Sequence, residues 1–541
     1  MCVELSFDFL VNLVGNALLS FATLGLSSVF CFLIFFCSDS TILFSSCIKQ
    51  IEGRTDNLTF LQPLNADLNA GTWKTILLNR PDTFALALPL ATTHVNYIAE
   101  LNEIKGLQKN LTDQQSSNIR YWAAGGVLRW NETMRELVAK YNLPPFQNPD
   151  GTYPIPSAAN PFAYPLFPFA NPPYAARAYA YIAAAQYDAL VACWHYKKLY
   201  NRPAPSTTDA GIIAKNGNTT LPSYPSEAAV IAGVTAEMMK LLFPTEIGAI
   251  EQKAKLHQDA AIMSGSATRS DVVAGENLGR QIAQVFIARA RTDNAGKAVG
   301  TPTDWSNFET STIAKGEIPW ISQDVPKRPG MLPLFGHVTP FLFDTATCST
   351  LVPPPPPSTG SAQMKKELEE VYSYTKNPTL ENHQLVLFWG DGVGTYAPPG
   401  HWNAIAAEDF IGLNLSEVKW ARNMALLNMS LMDAAIVCWK TKYKYYNPRP
   451  SQLDPRIKTL TGLPNFPAYI SGHSTFSGAA ATVLSYLVPS RAAAYTQMAN
   501  DASKSRLVGG LHFRSDCEVG LQVGNKIGQY AINKAKLDGA N

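Results

Sequence analysis

Net charge of either sign is almost absent. Lys and Arg total 44 against 42 Asp and Glu, which leaves +2 over 541 residues, and charged residues make up only 16% of the chain. Nucleic-acid binders need a concentrated basic surface, so that class is set aside. Cysteine is sparse and irregular. Cys2, Cys31, Cys37 and Cys47 lie near the N-terminus, Cys193, Cys348, Cys438 and Cys517 are scattered beyond, and no CxxC pair occurs. Neither a zinc site nor a disulfide framework is expected from that pattern. After residue 50 no apolar run is long enough to cross a bilayer. Before Lys49 there is no Lys or Arg either, so the basic start of an ordinary secretory signal is missing; Glu4 and Asp8 stand there instead.

Residues 9–36 are nonetheless almost wholly apolar and long enough to span a membrane. Export is therefore expected, to the periplasm, the cell surface or the medium. Residues 1–47 are read as a signal peptide or membrane anchor. Leu43-Phe-Ser-Ser-Cys47 loosely resembles a lipoprotein cleavage box, with Cys47 as the lipidated residue.

What the chain does have is a dense polar stretch from Lys442 to Asp516. Lys442 is followed after six residues by Arg449-Pro450. Ser471-Gly472-His473 comes next, then Ser505-Arg506, five residues, His512 and, four further on, Asp516. Arginine offers oxyanions a planar fork of donors, and lysine a point charge. Ser471-Gly472-His473 precedes a helical run, which would aim free backbone N–H groups at the same anion. A compact oxyanion is the ligand this set suits. The other histidines form no pair at metal-ligand spacing, and His401 is expected at the mouth of the site.

A second pattern is internal. Asp188-Ala-Leu-Val-Ala-Cys-Trp-His-Tyr-Lys197 echoes Asp433-Ala-Ala-Ile-Val-Cys-Trp-Lys-Thr-Lys442, 245 positions on. Tyr224 to Pro244 repeats as Tyr469 to Pro489 at the same offset, as do Gly279 and Gly524, and Asp271 and Asp516. A constant offset across separated segments implies duplication. The expected fold is all-α: two related helical bundles, with the site in the C-terminal one. The expected parts are an N-terminal helical and loop region (48–173), a degenerate first bundle (174–299), a Pro-rich connector (300–365) and the second bundle (366–541). Within the early region, Gly71-Thr-Trp-Lys-Thr-Ile76 is expected as a short strand and 112–141 as mostly helix. At the offset, His473 falls on Ala228, Gly472 on Glu227, Arg506 on Ala261 and His512 on Ala267, while Lys442 keeps Lys197. Arg449-Pro450 has a near counterpart in Arg202-Pro203, displaced by two. Histidines and an arginine present in one copy and alanine in the other are expected to serve function rather than packing.

The three blocks together resemble the signature shared by the type-2 phosphatidic acid phosphatases and the vanadium-dependent haloperoxidases. Every charged position matches; Ile470 departs, where proline is the phosphatase preference. The resemblance implies one of two chemistries. In the haloperoxidases the bound anion is vanadate, with His512 as its axial ligand. Lys442, Arg449, Arg506, Ser471 and the Gly472 amide would neutralise its oxygens. His473 would assist proton movement and Lys442 polarise peroxide, with hydrogen peroxide and halide as partners. In the phosphatases a phosphate ester is substrate. His512 would then form a phosphohistidine, His473 protonate the leaving alcohol and Asp516 orient His512. Trp439 and Phe466 resemble the aromatic pair of chloro- and iodoperoxidase-like enzymes, and Asp391 the aspartate that holds an anion-binding arginine. Size, the doubled bundle and the lone N-terminal apolar run favour the peroxidase. An exported anion-binding protein without turnover is the third reading; intact His473 and His512 argue against it.

Overall fold

The computed structural model describes residues 58–143, 170–217, 221–325 and 327–540. The N-terminal apolar run and Cys47 lie outside them, as does most of the aromatic, proline-rich stretch from 144. Three helices come first: α1 (Val95–Lys109), α2 (Asp113–Ala123) and α3 (Gly126–Tyr141). The next set is α4 (Pro172–Tyr200), α5 (Pro205–Thr208), α6 (Glu227–Leu242), α7 (Ile247–Met263) and α8 (Arg269–Thr292). Two connector helices follow, α9 (Pro302–Ile313) and α10 (Thr345–Thr350). The last set is α11 (Ala362–Lys376), α12 (Leu380–Phe388), α13 (Ala397–Ile411), α14 (Glu417–Tyr445), α15 (Pro450–Leu453), α16 (Gly472–Leu487), α17 (Ala492–Val508) and α18 (Arg514–Ala535). No strand occurs among the described residues, and the fold is all-α. No helix there is long and apolar enough to cross a membrane.

The helix starts recur at the offset seen in the sequence. Helices α14 to α18 begin 245 residues after α4 to α8 respectively. Helices α4 and α14, each 29 residues, pack against each other at the centre. Both are buried around most of their circumference, as a helix apolar on all sides must be. Each ends at a left-handed residue, Asn201 (φ 43°) and Tyr446 (φ 49°), which turns the chain sharply back.

The segment expected as a strand at 71–76 is instead a 3-10 turn (Ala70–Thr72) running into extended chain. No neighbouring strand edge is there to receive it. The backbone N–H groups of Ile76, Leu77 and Leu78 donate to the buried Asp188 carboxylate at 2.6, 2.8 and 3.0 Å. Asp433, 245 positions on, does the same for Phe341 and Leu342, at 2.9 and 2.7 Å. An aspartate halfway along each central helix thus straps a loop across its own bundle.

Glycine sets the spacing of the helix pairs α6/α8 and α16/α18. A Cβ on Gly279 would overlap the Val230 carbonyl oxygen, and one on Gly524 the Thr475 carbonyl oxygen. The connector packs onto the second bundle. The Pro353 and Pro354 carbonyls accept from Tyr445 and Tyr469, each at 2.7 Å, and the Met331 carbonyl accepts from Trp439 Nε1 at 3.0 Å.

Candidate active site

Four segments of the second bundle converge on one buried point. Lys442 comes from the last turn of α14, Arg449 from the cap of α15, Ser471 to His473 from the start of α16, and Arg506 to Asp516 from the α17–α18 turn. Lys442, Arg449, Ser471, Arg506, His512 and Asp516 are each no more than 2% exposed, so their charges are held out of water.

Backbone carbonyls steer the cations. Lys442 Nζ donates to Pro467 O at 2.7 Å and Ala468 O at 2.9 Å. Arg449 donates from Nε to Phe466 O at 3.0 Å and from Nη1 to Leu511 O at 2.8 Å. Arg506 Nη2 donates to Trp389 O at 2.6 Å. Ser471 caps α16 through Ser474 N, and its own N–H is bound to Asp516 O at 3.0 Å. The first-turn N–H groups of α16 stand at the positive end of its helix dipole. Gly472 keeps that approach open, since a Cβ there would meet only Trp439, at 3.9 Å.

His512 has its tautomer fixed from both sides. Nδ1 lies 3.0 Å from Asp516 Oδ2, so it carries the proton and donates it. Nε2 lies 2.9 Å from Arg449 Nη1; arginine can only donate, so Nε2 is the bare nitrogen. Burial, then the charges of Arg449, Lys442 and Arg506, hold the ring well below its ordinary value and therefore neutral. A neutral imidazole with a bare, backed Nε2 can act as a nucleophile or as a metal ligand.

His473 stands where the site meets solvent, its side chain 16% exposed. Its Nε2 is 3.5 Å from Asp391 Oδ2, and among the described residues neither atom has a hydrogen-bond partner. Burial and Arg506 pull His473 down to about 4. Asp391, expected to hold an arginine, instead binds His401 Nδ1 at 2.9 Å and faces His473. The reason is local: Arg506 already has the Trp389 carbonyl, and Asp391, at φ 46°, turns its side chain toward α13. His401 is thus part of the site's wall. The sequence signals of this arm were the resemblance of Asp391 to an arginine-holding aspartate and the expectation of His401 at the site's mouth. Trp439 and Phe466 close the other side, with rings 5.0 Å apart; the Phe466 ring centre is 4.8 Å from Lys442 Nζ.

An oxyanion fits this set. Among the described residues Arg449 Nη2 is buried without a hydrogen-bond partner, and the Asp516 and Asp391 carboxylates lie against His512 and His473. Burial also pushes the Lys442 ammonium down to about 7. A bound anion favours the charged lysine and lifts that value. Affinity should therefore be full below about pH 7 and fall as pH rises above it, by up to about tenfold per unit. Calorimetry with sulfate, whose own charge is constant from pH 6 to 9, checks this; a flat profile would refute it.

The first bundle carries different side chains on a similarly spaced frame. Lys197 Nζ bonds Pro222 O, as Lys442 bonds Pro467 O. Glu227, in the place of Gly472, sits beside Lys197 and accepts from Trp194 Nε1 at 2.8 Å, on a cavity of about 130 Å³. The helix offset puts Ala204, not Arg202, in the place of Arg449. Arg202 instead lies 3.6 Å from Asp271 and over the Tyr97 ring.

Part of the chain is similar to known proteins. Residues 423–534 match the model of the PAP2 superfamily. A vanadium chloroperoxidase of Curvularia inaequalis is 32% identical over 126 residues, spanning 17% of this chain and only 20% of that relative. The crystal structure of the first bacterial vanadium-dependent iodoperoxidase superposes with TM-score 0.54 and 25% identity, covering 67% of this chain and 91% of that one. A bacterial vanadium-dependent chloroperoxidase gives TM-score 0.47 and 12% identity, over 68% and 93%. Residues 423–534 of the C-terminal bundle are thus similar to the PAP2 superfamily, and about two thirds of the chain is similar to a vanadium-dependent iodoperoxidase.

Proposed function

We propose that the protein is a vanadate-dependent haloperoxidase-like enzyme that oxidises halide with hydrogen peroxide. The observation that carries the reading is the convergence of Lys442, Arg449, Arg506 and the α16 N-terminus on the bare Nε2 of His512. Vanadate, when bound, supplies a Lewis-acidic centre at which peroxide is activated toward halide. His512 Nε2 would be its nitrogen ligand, with Asp516 keeping the ring in the required tautomer. Lys442, Arg449, Arg506 and the Gly472 amide would neutralise its oxygens. His473, on the solvent side and facing Asp391, holds and releases the proton that the reaction moves. Trp439 and Phe466 keep bulk water off one flank. Similarity to an iodoperoxidase over two thirds of the chain supports this branch over the other.

Acid phosphatase action is the second reading, favoured by the same bare Nε2. His512 would attack phosphorus while the ester P–O bond breaks, and His473 would give its proton to the leaving alcohol. Water would then release phosphate from His512. We also propose export, on the apolar run at residues 9–36.

The deciding experiment strips bound anion from purified protein and reloads it with orthovanadate. Iodide and bromide oxidation with hydrogen peroxide is assayed beside p-nitrophenyl phosphate hydrolysis without vanadate. Vanadate-dependent halide oxidation that phosphate competes away is the expected result. Ester hydrolysis that vanadate inhibits, with no halide oxidation, would move the protein to the phosphatases. Activity in neither assay would leave an anion-binding protein.

A further inference from the structure

His401 stands in the wall of the oxyanion site, and two of its contacts reach the groups that build it. From the second turn of α13, its Nδ1 lies 2.9 Å from Asp391 Oδ1. The same imidazole stacks on Trp389, centroids 4.6 Å apart and planes 30° from parallel, with the Phe388 ring edge-on at 5.1 Å. Trp389 carries the carbonyl that holds Arg506, and Asp391 presents its other oxygen, Oδ2, to His473. One ring therefore braces both ends of a three-residue arm, one end fixing a cation of the site and the other opposing its solvent-side imidazole.

The bond to Asp391 is not replaceable from nearby. Among the described residues His401 Nδ1 is the side-chain donor to Oδ1, and Oδ2 is buried with no hydrogen bond of its own. Burial pushes that carboxyl up, but His401 and His473 outweigh it and hold it below its ordinary range. It is therefore ionised, and His401 Nδ1 is the donor in their bond. The charged or titratable groups that bear on Asp391 and His473 are His401 and Tyr396 from the α12–α13 arm and Arg506 and His512 from the α17–α18 turn.

We propose that His401 is a positioning residue for the acid–base work of His473. Through its Nδ1–H it holds Asp391 so that Oδ2 stands ready for His473 Nε2–H when His473 takes a proton. The inference rests on the reading of His473 given above. It adds a residue that the anion-binding pattern lacks and that touches neither the anion nor the reacting atoms.

Two substitutions separate the hydrogen bond from the stacking. His401→Phe keeps an aromatic ring on Trp389 and loses the donor. His401→Asn places an amide N–H near the Nδ1 position and loses the ring. Sulfate affinity reports the anion site without turnover, and kcat is read in whichever of the two assays the wild-type protein supports. His401→Phe is expected to lower kcat about 10- to 100-fold, the usual cost of losing a supporting partner. Its sulfate affinity should stay within about twofold, and His401→Asn should recover most of the loss in kcat. In the double variant with His473→Ala, His401→Phe should add little to the loss from His473→Ala alone. A His401→Phe variant with wild-type kcat beside a crippled His473→Ala overturns the positioning role and leaves the site's function standing. Equal losses in the Phe and Asn variants would overturn it as well, by showing that the ring and not the donor matters. Undiminished turnover in His473→Ala, or no turnover in the wild type, would instead remove the functional reading and this inference with it.

Discussion

Replacing His512 with alanine is expected to lower turnover at least about 1,000-fold, as loss of a central catalytic group does. Nε2 of this ring is the bare imidazole nitrogen that Arg449 and Asp516 together hold in place. Both chemistries need it, as nucleophile in one and as ligand in the other. Sulfate affinity should fall far less, because Lys442, Arg449, Arg506 and the start of α16 remain. Their positions depend mainly on the Pro467, Ala468, Phe466, Leu511 and Trp389 carbonyls, with the ring adding one bond to Arg449. The variant also leaves Asp516 buried with one fewer donor, so some stability should go too. Steady-state kinetics beside a thermal melt separate these losses. Turnover within tenfold of wild type, in a folded variant, would refute the assignment of the centre.

A second large effect is expected from Gly524→Val. The Gly524 Cα faces α16, where an added Cβ would overlap Thr475 O, stand 2.8 Å from Ala479 N and 3.0 Å from Gly478 Cα. All three neighbours are main-chain atoms of a packed helix, so nothing can rotate aside. The two helices must separate, at a cost of about 3 kcal/mol or more. Activity should fall with stability, since α16 begins at the Ser471 cap and α18 carries Asp516, and the Ser471 N–H to Asp516 O bond ties them. Gly248→Ala in α7 is the control, for a Cβ there meets nothing within 4 Å and helix propensity favours it. Chemical denaturation of the two variants gives the comparison; a Gly524→Val protein as stable as wild type would mean that α16 and α18 are not packed this closely.

Much of this was legible from residue order alone. Lys442, Arg449, Ser471 to His473, Arg506, His512 and Asp516 do meet, because their spacing is the spacing of helix ends and each block sits at one. The 245-residue offset carried through to the helix starts because the repeated residues are those that pack helices: Asp188 and Asp433, Gly279 and Gly524. What residue order could not convey was partner choice. Asp391 has two histidines and an arginine within its neighbourhood, and only the turn at φ 46° decides that His401 takes it. The expected strand near Thr72 failed for a similar reason. An extended, β-branched stretch says nothing of whether its N–H groups meet another strand or, as here, a single carboxylate on a distant helix. Arg202, two residues out of step with Arg449, was likewise drawn to Asp271 and Tyr97 rather than to an anion.

The glutamate at position 227 has a consequence for how the two halves depend on their surroundings. Glu227 shares a cavity with Lys197, so the first bundle sets a carboxyl group of its own where the second has none. The second bundle, with Gly472 in that position, must borrow its counter-ion from solution. The first bundle is therefore expected to depend less on the ionic content of its medium. The other half is tuned by it through mass action, a free anion at a hundred times its dissociation constant adding about 2.7 kcal/mol. On the proposed reading the second bundle thus gains stability from a dissolved oxyanion, while its neighbour carries Glu227 in the same place.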